Sequence, residues 1–379
     1  MERPDVFIVA AEPSGDQLGA ALIDSLRSCD QDIRIAGIGG SRMSEAGVAT
    51  LMSTDGLAVL GFVEGLKAYP TVLRKVREAT SLILEADPRA VILIDSWGFM
   101  ARIAKRLKSK GFVGKIVKYV APQVWATRPG RAKVLALSVD HLLSTQTMDA
   151  PYFDAAGLAQ TFVGNPVLDR PYGESDARAF REHYDLETSP IIGLFPGSRG
   201  SEIDRVGPAI VTAAQSVHGQ YPDVQFICVV SDAVQPAVEA LMRNLPCRLV
   251  DEADLNEALS MLDVAIACSG TITTQLAAAG VPTVVLYRLS ALTYAIASRI
   301  FRQKYISLVN ISADAPLMPE YLQDEIMDSG PADVISKWLD DPNTREALGQ
   351  SLKRETQRMG AGSGKASDRA AAAILDLLH

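Results

Sequence analysis

The sequence predicts an α/β protein built from two open halves, each around a parallel sheet. Short apolar runs bounded by Gly, Pro and polar residues alternate with segments of helical period along the whole chain. The alternation restarts after residues 165–171, the best candidate for a linker. A length of 379 residues favours two domains, each able to bury its own core. Open sheets of this kind place ligands outside the carboxyl ends of their strands, here in a cleft between the halves.

Each element has its own signal. Residues 6–10 are an unbroken apolar run, read as a buried strand, and 16–26 carry an amphipathic helical period. Strand 33–38 ends in Gly37-Ile38-Gly39-Gly40, where glycines most simply serve a tight turn. A long helix covers 66–85, followed by strand 90–94, helix 99–108 and strand 115–120. Residues 142–145 and 161–163 supply the last strands of this half. In the second half strands are expected at 191–195, 224–230, 248–250, 264–267, 283–286 and 306–308. Helices between them include 255–261, 271–279 and 292–302. The tail from 344 is helical, interrupted at Gly360-Ala-Gly-Ser-Gly364.

Composition narrows the function classes. An apolar fraction of 48% is ordinary for a soluble globular protein. The four cysteines have no CxxC spacing and read as buried thiols of a reducing compartment; the four histidines form no metal-type pair. No signal peptide and no apolar run of about 18 residues are apparent. A net charge of −8 argues against nucleic-acid binding. Yet residues 101–133 hold ten Lys/Arg and no Asp or Glu, which points to an anionic surface or a phosphorylated substrate, or to a solvated helix face.

Several turns could carry chemistry. The apolar run 190–195 is broken by Pro196, Gly197 and Ser198, and a helical pattern follows from about Ile203. A glycine turn between strand and helix leaves backbone N–H groups free at a positive helix end, and Arg199 adds a cationic fork. That combination is a pyrophosphate receptor, suited in mid-chain to a nucleotide-sugar leaving group. Ser269-Gly270-Thr271 is a second small-residue turn opening a helix, and the pair could contact two phosphates from two sides. The expected strand at 306–308 would bring Asn310 to a strand end, where its amide could read a base or ribose.

In the first half, Glu12, Ser14 and Asp16 follow the first strand, either facing an acceptor or capping the next helix. Asp95 ends the apolar strand 90–94 and is a candidate general base or a helix cap. Gln123 and Trp125 sit in Tyr119-Val-Ala-Pro-Gln-Val-Trp-Ala126; the indole could stack on a sugar or fill a core gap. Asp30-Gln-Asp32 precedes a strand and reads as a surface loop.

These strings resemble the lipid-A-disaccharide synthase family, inverting glycosyltransferases of the GT-B fold. The likeness runs from Ala11-Glu-Pro-Ser-Gly-Asp16 through Leu60-Gly-Phe-Val-Glu64, Tyr119–Ala126, Phe162-Val-Gly164, Pro196-Gly-Ser-Arg-Gly-Ser-Glu202, Ser269-Gly-Thr271 and Val284-Val-Leu-Tyr-Arg288 to Pro319-Glu-Tyr-Leu-Gln323. Their order and spacing make it specific. The resemblance implies two Rossmann-like domains: residues 1–167 with 345–379, holding acceptor and lipid, and 168–344, holding UDP, with the last helix packing back on the first domain. It implies transfer of 2,3-diacylglucosamine from its UDP derivative to 2,3-diacylglucosamine 1-phosphate, without metal or cofactor, at the cytoplasmic face of the inner membrane.

On that pattern Asp95 is the base; Glu12, Ser14, Asp16, Gln123 and Trp125 face the acceptor. Gly197, Ser198, Arg199, Glu202, Ser269, Gly270, Thr271, Gln275 and Asn310 face UDP. The segment 61–84 and the basic zone from Arg102 would meet acyl chains and membrane. The chain departs from the family pattern at three places: Gly98 stands for a second Asp, Gln275 for a Glu and Asn165 for a His. Two other readings therefore stay open. One is a GT-B enzyme on another UDP-sugar, an epimerase or peptidoglycan-type transferase; the other is a catalytically silent UDP- or lipid-binding paralogue.

Overall fold

A computed structural model describes residues 3–54, 57, 62–170, 172 and 177–378. The chain divides into two compact units, 1–166 with 364–379, and 167–363. Leu60 and Gly61 of the Leu60–Glu64 string lie outside the described residues, as do Pro171 and His379.

The first unit holds six strands: β1 (Val6–Ala10), β2 (Ile35–Ile38), β3 (Ala90–Ile94), β4 (Lys115–Tyr119), β5 (His141–Ser144) and β6 (Gln160–Phe162). They form one parallel sheet in the order β2-β1-β3-β4-β5-β6. Both faces are covered, which is why the strands read as unbroken apolar runs. Phe7 and Val9 enter one core with Val91, Leu93, Ile103 and Leu107. Val6, Ile8 and Ala10 point the opposite way, into a core with Leu22, Ile23, Ile92 and Ile94.

The last helix, Ala366–Leu378, closes that second layer through Ala370, Ala371 and Ile374. Ser25 bonds Ser367 Oγ at 2.9 Å and Asp368 Oδ1 at 2.7 Å, and Arg369 Nε donates to the Val163 carbonyl at 2.7 Å. The preceding helix, Pro342–Arg358, belongs to the other unit. Residues 345–363 thus depart from the expected boundary: Leu352 and Met359 are buried with Val285 and Met318.

The second unit repeats the plan with β7 (Ile191–Phe195), β8 (Gln225–Val230), β9 (Cys247–Asp251), β10 (Val264–Cys268), β11 (Thr283–Tyr287) and β12 (Glu320–Leu322). All pair in parallel, in the order β12-β11-β10-β7-β8-β9. The expected strand at 306–308 is not formed. Residues 308–313 are the helix Leu308–Ala313, capped by Ser307, and the sixth strand is β12, a half-buried edge strand. A run of β-branched and apolar residues suits either state, so periodicity alone could not separate them.

In both sheets the order reverses beside the unit's first strand, between β1 and β3 and between β7 and β10. Such switch points leave room for a ligand at the carboxyl edge. Among the described residues no helix is long and apolar enough to cross a membrane.

Candidate active site

The two glycine-bearing turns of the second unit lie side by side. Ala267 of β10 pairs with Phe195 of β7, so both strands end together and their turns leave the same edge. The turn after β7 leads into the helix Gly200–Gln220 with Arg199 at its N-cap; the turn after β10 leads into the helix Thr271–Ala279 with Gly270 at its N-cap. Ser198, Arg199, Gly270 and Thr271 are exposed, and a Cβ placed on Gly270 would touch nothing within 4 Å. Two helix N-termini and one guanidinium therefore lie at the same edge of the sheet, an arrangement whose electrostatics suit an anion.

Gly197 makes the first turn at φ +119°, and a Cβ there would come within 2.6 Å of Glu202 Cβ. Glu202 accepts from the Ser198 N–H at 3.0 Å and from Arg199 Nη1 at 2.6 Å. The carboxylate thus anchors the loop and its cation. Glu202, expected to face UDP, is engaged in the structure by the loop's own N–H and guanidinium. Arg199 keeps most of its side chain in solvent, at 71% exposure. The same loop faces the end of β10: burial pushes the Cys268 thiol up to about 12, and Glu202 adds to that while Arg199 opposes it.

Gln275 lies one turn into the second helix, half-buried, with its amide hydrogen-bonded to the Tyr172 hydroxyl. Asn310 is a correction. It is fully buried, donating to the Met318 carbonyl at 2.7 Å and Glu320 Oε1 at 2.8 Å, and accepting from the Met318 N–H at 2.9 Å. Both N–H donors of this amide are engaged and the side chain is fully buried, so it does not reach a base or ribose at the surface. Glu320 also accepts from the backbone N–H groups of Ile306 and Ser307, so these two residues fix the loop before β12.

In the first unit, Glu12 and Asp95 follow strands in register, Ala10 opposite Ile94. No hydrogen bond among the described residues engages either carboxylate, and Asp95 does not cap the helix Trp97–Ser109, whose N-cap is Ser96. Asp95 (φ 50°) and Ser96 (φ 35°) both take left-handed backbone, costly for consecutive non-glycine residues and typical of functional turns.

Lys118 secures this turn. It is buried in β4, donating to the Asp95 carbonyl at 2.7 Å and to its neighbour's, Tyr119, at 2.9 Å. Burial pushes its ammonium down to about 7, against the attraction of Asp95 and then Glu12. Two carboxylates and a buried cation thus share one sheet edge. Lys118 was hidden in the sequence by the basic zone; its signal is a cation inside an apolar strand. Elsewhere in that zone Arg102 lies 5.5 Å over the Tyr69 ring and Lys108 pairs with Asp140 at 2.6 Å.

Two expected acceptor residues are structural. Asp16 is buried and reaches across to the helix Ser41–Glu45, accepting from the N–H groups of Gly40 (2.7 Å), Arg42 (2.9 Å) and Met43 (3.2 Å). Gly40 is required there, since a Cβ would sit 2.6 Å from Asp16 Oδ2. Asp16→Ala is expected to lower stability by about 3 kcal/mol, because three backbone donors lose a charged acceptor; a thermal melt with an unchanged midpoint would refute this. Trp125 is likewise buried, with its indole turned to Asp149. Burial pushes that carboxyl up to about 7, against the Gln146 backbone and Trp125 bonds. Ser14 and Gln123 are exposed, Ser14 in the first turn of the helix Pro13–Cys29.

Two parallel α/β units, each with polar turns at the switch point of its sheet, define a protein of the GT-B architecture. A solved putative UDP-N-acetylglucosamine 2-epimerase from Listeria monocytogenes has this fold, with a TM-score of 0.64, 12% identity, and coverage of 99% of this chain and 96% of that one. The spinosyn rhamnosyltransferase SpnG complexed with thymidine diphosphate matches at TM-score 0.59 and 14% identity, over 98% and 99% of the two chains. The chain belongs to the lipid-A-disaccharide synthetase family, whose model matches residues 6–371. The lipid-A-disaccharide synthase of Rhodospirillum centenum is 35% identical over 98% of this chain and 94% of its own.

Proposed function

We propose that this chain joins two acylated glucosamines, transferring 2,3-diacylglucosamine from its UDP derivative to the 6-hydroxyl of 2,3-diacylglucosamine 1-phosphate. The observation that carries this reading, beside family membership, is the pair of turns ending β7 and β10 in register, with Arg199 at one N-cap. The second unit holds UDP and the first holds the acceptor. Asp95 takes the proton of the acceptor hydroxyl as its oxygen attacks the anomeric carbon from the face opposite UDP. The C–O bond to the diphosphate breaks, and the products are a β-1,6 disaccharide phosphate and UDP. Charge growing on the leaving diphosphate meets Arg199 and the N-termini of the helices Gly200–Gln220 and Thr271–Ala279. Ser269 and Gln275 line the nucleotide side; Glu12, with Lys118 beneath it, borders the acceptor side. Exposed Arg102, Lys105 and Lys110 suit a peripheral position at the anionic inner membrane.

The test supplies both acylated substrates and measures UDP and disaccharide together. Equal release of the two is expected. UDP-sugar turnover that ignores the acyl chains would favour an epimerase-type or other transferase reaction; UDP binding without product would favour a silent paralogue.

A further inference from the structure

Lys118 is a charge where packing alone has no need of one. It sits on β4, between β3 and β5, and is 1% exposed. A buried ammonium costs free energy that an apolar side chain of the same length would not, unless its hydrogens find acceptors. Two of its acceptors are backbone carbonyls at neighbouring strand ends, Asp95 just after β3 and Tyr119 closing β4.

These bonds close a small ring. Ile94 pairs with Tyr119 across the two strands, and the Asp95 N–H donates to the Tyr119 carbonyl at 2.9 Å. The Lys118 ammonium donates to that same carbonyl and to the carbonyl of Asp95 itself. Asp95 is therefore held on both sides of its Cα, through its N–H and its C=O, while its carboxylate stays outside the ring. The backbone around the ring is strained. Beyond Asp95 and Ser96, Val120 also takes left-handed backbone, at φ 68°, and its N–H is tied to the Leu143 carbonyl of β5 at 3.1 Å. For a β-branched residue that conformation is an outlier. Such strain persists only where the surrounding bonds over-determine it.

We propose that Lys118 is a positioning residue for the transfer: by clamping the Asp95 turn to the end of β4, it fixes the direction in which the Asp95 carboxylate meets the acceptor hydroxyl. This deepens the transferase reading and rests on it. Lys118 need touch no reacting atom. It acts through the Asp95 backbone, and its charge attracts the carboxylates of Asp95 and Glu12 from beneath the same edge. An apolar side chain at 118 would leave the Asp95 carbonyl without this donor, and the turn would relax toward ordinary backbone. A reacting group displaced by about 1 Å loses about 10²-fold in rate.

Steady-state kinetics of Lys118→Met, Asp95→Asn and the double variant, each with both acylated substrates, test this role. Met keeps the length of the side chain and removes its donors and charge. Lys118→Met should lower kcat about 10- to 100-fold and leave the acceptor KM within about threefold of the parent value. UDP affinity should not change. Lys118→Gln, which keeps N–H donors on a shorter arm, should fall between Lys118→Met and the parent. The double variant should be no slower than Asp95→Asn, within about twofold, because no base remains to be positioned. A lysine that only supports the fold predicts the same fold-loss on both backgrounds. Where Lys118→Met melts below the assay temperature, the cycle run with Lys118→Gln reads the same coupling. Parent kcat in the Lys118 variants, or a loss repeated in full beside Asp95→Asn, overturns the positioning role and leaves the transferase reading standing. A parent chain that makes no disaccharide overturns the transferase reading, and the role of Lys118 with it.

Discussion

Asp95→Asn should lower kcat by about 10²–10⁴-fold and leave the acceptor KM within a few-fold. An amide keeps the shape of the carboxylate but cannot take a proton. Asn also tolerates the left-handed backbone at φ 50°, so the turn and the Lys118 bond to its carbonyl should persist. A loss of rate would therefore report chemistry and not folding. Steady-state kinetics with acceptor varied at saturating donor reads the effect. Near-parent turnover would remove Asp95 as the base and move attention to Glu12, the other carboxylate beside Lys118. Gly98 bears on the same point. A Cβ there would meet only Arg102 Nη1 at 3.6 Å, so the missing second carboxylate of the family pattern reflects sequence, not lack of room.

Arg199→Ala should reduce kcat/KM by about 10²–10³-fold and weaken UDP in parallel, because the leaving diphosphate loses its one positioned guanidinium in that turn. Glu202 would then lack its 2.6 Å partner and, held near the Ser198 N–H, would repel the ligand. Arg199→Lys should recover only part of the loss, since an ammonium cannot present a fork to two oxygens. Calorimetric titration of UDP into each variant provides the check, and unchanged affinity would exclude the turn as the diphosphate site.

The turns of the candidate site were legible where they are local. Pro196-Gly-Ser-Arg199 and Ser269-Gly-Thr271 could be read because an apolar strand, a small-residue turn and a helix start are adjacent in sequence. Asp95 stood out for the same reason, a charge closing a buried run. The misread residues depend on distant partners. Asp16 works 24 to 27 residues away, on Gly40, Arg42 and Met43. Trp125 is fixed by its contact with Asp149, and Asn310 by the Met318–Glu320 segment.

What the chain alone determined is the two-unit α/β plan, nearly all its strands and the polar turns that end them, since period and turn chemistry act within a few residues. Tertiary packing decided which polar side chains remain available to a ligand. Whether Asp95, Asp16, Asn310 or Lys118 meets solvent or a backbone partner depends on what packs over each strand end. A buried polar group takes whichever partner the neighbouring strand brings, because leaving it unpaired costs about 1–3 kcal/mol.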